Sequence, residues 1–143
     1  MTLDELDKHL SLVVDLAKSR EMLQSLWNTA HPGGQVMTGM PHTPGVKDKV
    51  GDLAVEIADL ESEIVAMEQR CKESEAQVRS FLSTISNTRT RLIFRLRFCR
   101  GMQWKEVAST IGGWQTEASV KETAYRYLRR KEQEAKGGTV KNG

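Results

Sequence analysis

A heptad repeat of apolar residues, from about residue 47 to residue 88, constrains this chain more than any other feature. A pair of seam positions, mostly apolar, recurs every seven residues over nearly six heptads, which is the spacing of a coiled-coil helix. One seam position carries Val50, Ile57, Ile64, Cys71, Val78 and Ile85, and the other carries Leu53, Leu60, Met67, Ser74, Phe81 and Thr88. An unbroken helix of roughly 40 residues would be about 60 Å long. The repeat therefore predicts a long helix that needs a partner along its seam.

A second helix with a wide apolar face is predicted before the repeat, from Leu3 to about Asn28. Thr2 and Glu5 have the spacing of a capping box at its start. Residues 29–46 are predicted to form a loop, because all three prolines and four glycines fall within this stretch. The first helix can fold back as an antiparallel partner of the repeat. We expect such a helical hairpin, and the sequence leaves open whether the heptad helix also forms a homodimer.

Three shorter helices are predicted after the repeat, at about residues 89–100, 104–111 and 117–135. Ser86, Asn87 and Thr88 suit a helix N-cap, while Gly101 and the pair Gly112 and Gly113 suit left-handed helix ends. In the first short helix we expect one apolar face and one basic face. The apolar face is formed by Leu92, Ile93, Leu96 and Cys99, and the basic face by Arg91, Arg95, Arg97 and Arg100.

The predicted fold is all-α, because no stretch alternates as a strand does. It consists of a long antiparallel helical hairpin or coiled coil, followed by a C-terminal three-helix helix-turn-helix module. We expect the hairpin arm at residues 1–88, the module at residues 89–136 and a disordered tail at residues 137–143.

The charge of the chain is divided between these two parts. Residues 1–88 hold 8 Lys/Arg and 14 Asp/Glu, a net of −6, whereas residues 89–143 hold 13 and 5, a net of +8. A compact basic module on an acidic arm is the pattern expected of a nucleic-acid-binding protein.

Other classes of protein are disfavoured by the sequence. The longest apolar run has only four residues and the N-terminus is acidic, so we expect a cytoplasmic location and no membrane partner. His9, His31 and His42 lack metal-ligand spacing with each other and with Cys71 and Cys99. No catalytic set, phosphate-binding loop or paired carboxylates stand out. We therefore expect no enzyme activity, no metal site and no cofactor.

Leucine, arginine and aromatic residues from Arg91 onward are followed by Gly101, then by Trp104-x-x-Val107-Ala108 and Gly112. With this pattern, residues 91–108 resemble the C-terminal promoter-reading region, region 4, of bacterial sigma factors. The turn that follows is longer than in that pattern. The whole chain also resembles a family of small phage-encoded sigma-like transcription regulators, through its helical N-terminal region and the segment Gly39-Met-Pro-His-Thr-Pro-Gly-Val-Lys-Asp-Lys-Val50.

The resemblance implies that the third short helix reads bases in the major groove while cations around it hold phosphates. The base-contacting residues implied are Gln115, Thr116, Glu117, Ser119, Lys121, Glu122 and Arg126. The phosphate-contacting residues implied are Arg89, Arg91, Arg95, Lys105, Arg129 and Arg130. Their chemistry is suitable, because Gln pairs with adenine, Arg or Lys with guanine, and Glu with the cytosine amino group.

Two functions of different classes are compatible with the sequence. The first is a phage-type transcription regulator that binds double-stranded promoter DNA and uses its arm for dimerisation or for contact with bacterial RNA polymerase. The alternative is a protein-interaction module, such as a phage inhibitor or an assembly or DNA-packaging subunit, whose basic face binds a protein partner. The Met-Pro segment at residues 39–45 either closes the hairpin or docks a partner.

Overall fold

The structure, a computed structural model, describes residues 1–31 and 49–141, with side chains at residues 1–31 and 51–136. These residues form helices and no strands, which confirms the all-α class. The helices are α1 (Leu3–Ala30), α2 (Lys49–Ser83), α3 (Thr88–Phe94), α4 (Trp104–Ile111) and α5 (Glu117–Lys141), and a π-helical turn, Arg95–Cys99, continues α3. The predicted Met-Pro segment and most of the predicted loop lie outside the described residues, as does the side chain of Val50.

The two long helices begin and end close to the predicted positions, with one exception. At the start of α1, the Thr2 hydroxyl oxygen accepts from the Glu5 N–H at 3.2 Å, and the Glu5 carboxylate accepts from the Thr2 N–H at 2.9 Å, which confirms the capping box. The exception is α2, which ends at Ser83, two residues before Ile85, the last apolar residue of the heptad repeat. The Thr84 and Ile85 N–H groups donate to carbonyls only three residues back, at 3.0 Å each, and this tight turn stops the helix.

At its other end the chain is helical further than predicted. The α5 backbone continues to Lys141, through the two glycines at 137 and 138. The first five residues of the expected tail are therefore helical in backbone conformation.

The described chain divides into two compact units, and both long helices contribute residues to each. The helix-pair unit is Asp15–Arg70, and the core unit is Met1–Val14 together with Cys71–Gly143. The structure thus divides the chain after residue 14 and after residue 70, and the boundary after residue 88 stays a prediction from the sequence.

The helix-pair unit is held together by the predicted heptad seam. Its buried residues include Leu16 of α1 and the seam residues Ile57 and Ile64 of α2. The Ser19 hydroxyl donates to the Met67 sulfur at 3.6 Å, and an exposed ion pair joins Arg20 to Glu68 at 3.7 Å. An exposed pair of this kind contributes about 0–1 kcal/mol, so apolar burial supplies most of the attraction in this unit.

The core unit contains a single large hydrophobic cluster with residues from all five helices. It consists of Leu6, Val78, Leu82, Ile85, Ile93, Phe94, Leu96, Phe98, Trp104, Val107, Ala108, Val120, Ala124, Tyr127 and Leu128. The rings of Phe94 and Tyr127 meet edge to face with centroids 5.7 Å apart, and Phe98 meets Trp104 at 6.2 Å. Leu6 of α1 and Val78 and Leu82 of α2 thus share one core with residues of the three shorter helices.

The helix predicted at residues 89–100 changes its geometry at Arg95, which corrects the expected faces. Asn87 caps it, since its side chain accepts from the Thr90 N–H at 2.9 Å. From Arg95 onward the turn widens, and the Arg100 N–H donates to the Arg95 carbonyl at 3.1 Å.

Leu92, expected in the core, is 39% exposed, whereas Phe94 and Phe98 are buried. Arg91 and Arg97, expected on the exposed face, are half-buried. The two phenyl rings give the core a larger apolar surface than a single leucine side chain does.

His9 and Cys99 are titratable side chains of the core unit whose environments shift their pKa. His9 is only 1% exposed; its Nδ1 shares a hydrogen bond of 2.8 Å with the Ser74 hydroxyl, and its Nε2 has no partner. Burial lowers the pKa of His9, although Glu75 opposes the shift. Burial also raises the pKa of the Cys99 thiol. Both groups are thus favoured in their neutral forms, as expected for core residues.

No helix among the described residues has a stretch long and apolar enough to cross a bilayer.

Candidate nucleic-acid interface

The interface proposed from the sequence lies on α4, α5 and the turn between them. The two helices pack through Val107 and Ala108 of α4 and Val120 and Ala124 of α5, all of which are buried in the core cluster. The small Ala108 side chain lets the helices approach closely. The opposite face of α5 is exposed, so the candidate side chains at positions 117, 121, 122 and 126 are accessible to a partner.

The turn between α4 and α5 depends on two glycines. Gly112 has a φ of 75° with a ψ of −160°, and Gly113 has a φ of 65°. Backbone conformations with positive φ cost residues that carry a Cβ about 1–3 kcal/mol. The Gly112 N–H donates to the Ala108 carbonyl at 3.0 Å and ends α4. These observations confirm the prediction that the glycine pair terminates the second short helix.

Thr116 and Ser119, both predicted to contact bases, cap the start of α5. The Thr116 hydroxyl oxygen accepts from the Ser119 N–H at 3.1 Å, and the Ser119 hydroxyl oxygen accepts from the Thr116 N–H at 2.9 Å. This reciprocal pair satisfies backbone donors that the first turn of a helix leaves free. The three-residue spacing of two hydroxyl residues was visible in the sequence and was a signal for a cap.

Gln115 and Arg89, one predicted base contact and one predicted phosphate contact, are bonded to each other. The Arg89 guanidinium donates to the Gln115 side-chain carbonyl, and the Ser119 hydroxyl donates to the same oxygen at 3.2 Å. The Gln115 side chain therefore ties the beginning of α3 to the turn before α5. The bonds to Arg89 and Ser119 use only the side-chain oxygen of Gln115, and an amide NH₂ group is a donor that can pair with a base edge or a phosphate.

The remaining predicted base contacts lie on α5 and are exposed. Glu117 begins the helix and Lys121 follows one turn later, with its ammonium group 5.7 Å from the centre of the Tyr125 ring. Glu122 forms an ion pair with the Arg126 guanidinium at 3.6 Å, and it accepts a hydrogen bond from the Arg129 guanidinium at 3.0 Å. The Glu122 carboxylate thus pairs with both Arg126, a predicted base-contacting residue, and Arg129, a predicted phosphate-contacting residue.

The other predicted phosphate contacts are in two kinds of environment. Arg95 and Lys105 are exposed, and Arg130 lies 5.5 Å from the centre of the Tyr127 ring. Arg91 is half-buried, and its guanidinium donates to the Ile85 carbonyl at 2.8 Å. Arg91 therefore closes the turn between α2 and α3 and is less accessible than the sequence indicated.

Two further residues shape this region and were not predicted to do so. The half-buried Arg97 donates to the Met102 carbonyl at 2.8 Å and stacks 4.9 Å from the centre of the Trp104 ring, so it braces the connection into α4. Trp114, in the turn before α5, is 98% exposed. No sequence pattern distinguished Arg97 from its neighbouring arginines, whereas a tryptophan beside two glycines was a visible sign of an exposed aromatic residue.

Among the residues that the structure describes, no group of three or more His, Cys, Asp or Glu side chains is arranged to hold a metal ion. No family model matches this sequence, and no match was found among curated proteins or solved structures.

Proposed function

We propose that this chain is a DNA-binding transcription regulator of the phage sigma-like type. In this proposal α4, the turn and α5 form a helix-turn-helix, and α5 reads the major groove of promoter DNA. The observation that carries the proposal is the pairing of α4 with the buried face of α5, while the opposite face presents Lys121, Glu122 and Arg126. Such a helix is fixed to its scaffold on one side and is free to enter a groove on the other.

The charge of the C-terminal part supports a polyanionic partner. Residues 89–143 carry a net of +8, and the exposed cations include Arg95, Lys105 and Arg130. Cations that neutralise phosphates release condensed counterions from DNA, which supplies affinity that depends on salt. The basic surface would thus hold the module on the duplex while α5 reads the sequence.

The hydrogen bonds divide the seven candidate base contacts into two groups. Thr116 and Ser119 form the cap of α5, so we assign them chiefly to holding its first turn at the groove. Base reading then falls to the free NH₂ group of Gln115 and to the exposed residues Glu117, Lys121, Glu122 and Arg126.

The α1 and α2 helices are assigned the hairpin arm of this regulator. In the core unit His9 bonds Ser74, and in the helix-pair unit Ser19 bonds Met67, so α1 and α2 pair within each unit. These contacts support a hairpin in which α1 lies along the seam of α2. We propose that the arm contacts RNA polymerase or a second copy of the chain through its outer faces.

Selection of bound sequences from a random duplex pool tests the proposal directly. We expect enriched sequences with a shared motif, bound with an affinity that falls steeply with salt. With about four to seven phosphate contacts, the slope of log K against log salt should lie near −4 to −6. A chain that enriches no sequence and whose duplex binding is insensitive to salt would contradict the proposal.

A protein-interaction module is the second candidate function, and one observation favours it. The helix-pair unit has an open, largely apolar groove lined by Lys18, Glu21, Met22, Ser25, Leu26, Thr29 and Leu60. A groove of this kind suits an apolar helix face of a partner protein. A chain that bound such a partner and showed no preference among duplexes would favour this alternative.

A further inference from the structure

Trp114 is the most exposed large apolar side chain that the structure describes. It is 98% exposed, whereas Trp104 is 7% exposed in the core and Trp27 is 39% exposed. Single exposed apolar residues are common on protein surfaces, but an indole with almost no contact to its own chain leaves its full apolar area in water. Tryptophan is also among the residues that most often dominate the energy of an interface.

The turn presents Trp114 on an anchored backbone. At both Gly112 and Gly113 an added Cβ would meet no atom within 4 Å, so the turn lies clear of the rest of the described chain. Behind the indole, the Gln115 N–H donates to the Gly112 carbonyl at 3.4 Å, and the Gln115 side chain accepts from Arg89 and Ser119. A side chain held by an anchored segment loses less entropy on binding than one on a free loop.

The position of Trp114 relates it to the proposed reading helix. It lies three residues before Glu117, where α5 begins, and next to Gln115, which is bonded to Arg89. In a helix-turn-helix the N-terminal end of the recognition helix enters the major groove, so the residues just before it lie at the groove mouth. The apolar feature of base pairs in the major groove is the thymine C5-methyl group.

We propose that Trp114 packs on thymine methyl groups at the wall of the major groove and makes the chain prefer sites with thymine beside the bases that α5 reads. This inference rests on the proposed function, because it needs α5 in the groove. The cation Arg89, bonded to the neighbouring Gln115, and the net charge of residues 89–143 favour DNA over a protein pocket as the surface that covers the indole.

The test uses duplexes that the full chain selects from a random pool, prepared once with thymine and once with deoxyuridine, which lacks only the methyl group. Wild-type chain should bind the uracil duplex about fourfold more weakly for each methyl lost, from about 0.8 kcal/mol per buried methyl-sized group. Trp114→Ala should bind the thymine duplex as weakly as wild type binds the uracil duplex, and should not distinguish the two. Trp27→Ala is the matched control and should keep the thymine preference.

A second measurement follows the indole itself. In a Trp27→Phe chain, the neutral quencher acrylamide should reach Trp114 in the free protein and lose access when the selected duplex binds, while Trp104 stays protected throughout. Equal binding of thymine and uracil duplexes by wild type, or unchanged quenching of Trp114 in the complex, would overturn this inference and leave the proposed function standing. If the selection enriches no sequence, both proposals fail together. Trp114→Ala should fold normally, since the side chain is exposed.

Discussion

Lys121 and Arg130 are exposed cations of the same helix to which we assign different roles on DNA. Lys121 lies one turn after the start of α5, whereas Arg130 lies further along, beside Tyr127. Lys121→Ala should cost about 1–3 kcal/mol on a selected duplex with little effect on random duplex, because it removes a base contact. Arg130→Ala should weaken both duplexes alike and flatten the salt slope by about one unit. Fluorescence anisotropy on both duplexes at two salt concentrations distinguishes the roles, and equal losses for the two variants would refute the assignment.

If the chain binds DNA as we propose, the two ion pairs of Glu122 predict an effect of this carboxylate on binding. Its carboxylate holds Arg126 and Arg129 and would repel nearby phosphates. Glu122→Gln should therefore raise affinity for random duplex by about two- to tenfold, an effect of about 0.4–1.4 kcal/mol. If Glu122 also reads cytosine, the same change should lower the preference for the selected duplex.

Glu132→Gln provides the matched control for that variant. It removes one negative charge from α5 ten residues further along the chain. If Glu132→Gln raised the affinity for duplex as much as Glu122→Gln does, the change in net charge would explain both results. Freeing Arg126 and Arg129 from Glu122 would then have no separate effect.

His9 makes the stability of the core unit depend on pH. Its pKa is lowered by burial in the folded state, so below the ordinary value of about 6.5 the unfolded chain binds a proton that the folded chain resists. The contribution of His9 to stability is full above about pH 6.5 and is lost as the pH falls below it. Thermal unfolding at about pH 7.5 and about pH 5 should show a smaller loss of Tm for His9→Gln than for wild type. His31→Gln should keep the wild-type loss, and an equal loss in all three chains would contradict this role of His9.

At the scale of the elements, the glycines that end the short helices have different surroundings. Gly101 and Gly113 both have positive φ, at 71° and 65°. A Cβ at Gly101 would lie 3.1 Å from Val13 Cγ1, whereas a Cβ at Gly113 would meet nothing within 4 Å. Gly113→Ala should thus cost about 1–2 kcal/mol from backbone strain alone, and Gly101→Ala should cost more.

Urea unfolding of the two glycine variants measures the difference. Adding Val13→Ala to Gly101→Ala should recover part of the extra loss, because it removes the atom that the new methyl group meets. Equal free energies of unfolding for the two single variants would show that the new methyl group at position 101 does not destabilise the protein through its contact with Val13.

The helix ends show which features of the fold could be predicted from the sequence. The capping residues Thr2, Glu5 and Asn87 and the helix-ending glycines were all predicted, because a helix end is decided by hydrogen bonds among residues a few positions apart. The end of α2 was not, since the heptad pattern continues through Ile85. Ile85 lies two residues beyond the end of α2, and it is apolar because its side chain is buried in the core.

At the scale of the whole molecule, the core cluster determines which fragments fold. Leu6, Val78, Leu82 and Ile85 pack with the C-terminal aromatic residues. A fragment of residues 89–143 lacks all four and should have weak, non-cooperative thermal unfolding by circular dichroism. A chain in which residues 15–70 are replaced by a flexible Gly/Ser linker keeps all four, and should unfold cooperatively and retain duplex binding.

The comparison of these two chains also tests the division of the molecule. A cooperative 89–143 fragment would restore the boundary that the charge pattern indicated after residue 88. Loss of duplex binding by the linker chain, with its folding intact, would show that the helix-pair unit takes part in the DNA complex.

Local patterns were enough to establish the all-α class, the two long helices, the three short ones and the glycine turn, because helix periodicity, caps and glycine ends are properties of neighbouring residues. Candidate site residues were also identified by type, but their roles depend on partners distant in the chain. Gln115 meets Arg89, and the exposure of Leu92 follows from how Phe94 and Phe98 enter the core. The boundary at residue 70 likewise arises because Leu6 and Val78 share a core with Phe94. Burial in a close-packed interior is set by all contributing elements at once, so no single stretch of the sequence contains that information.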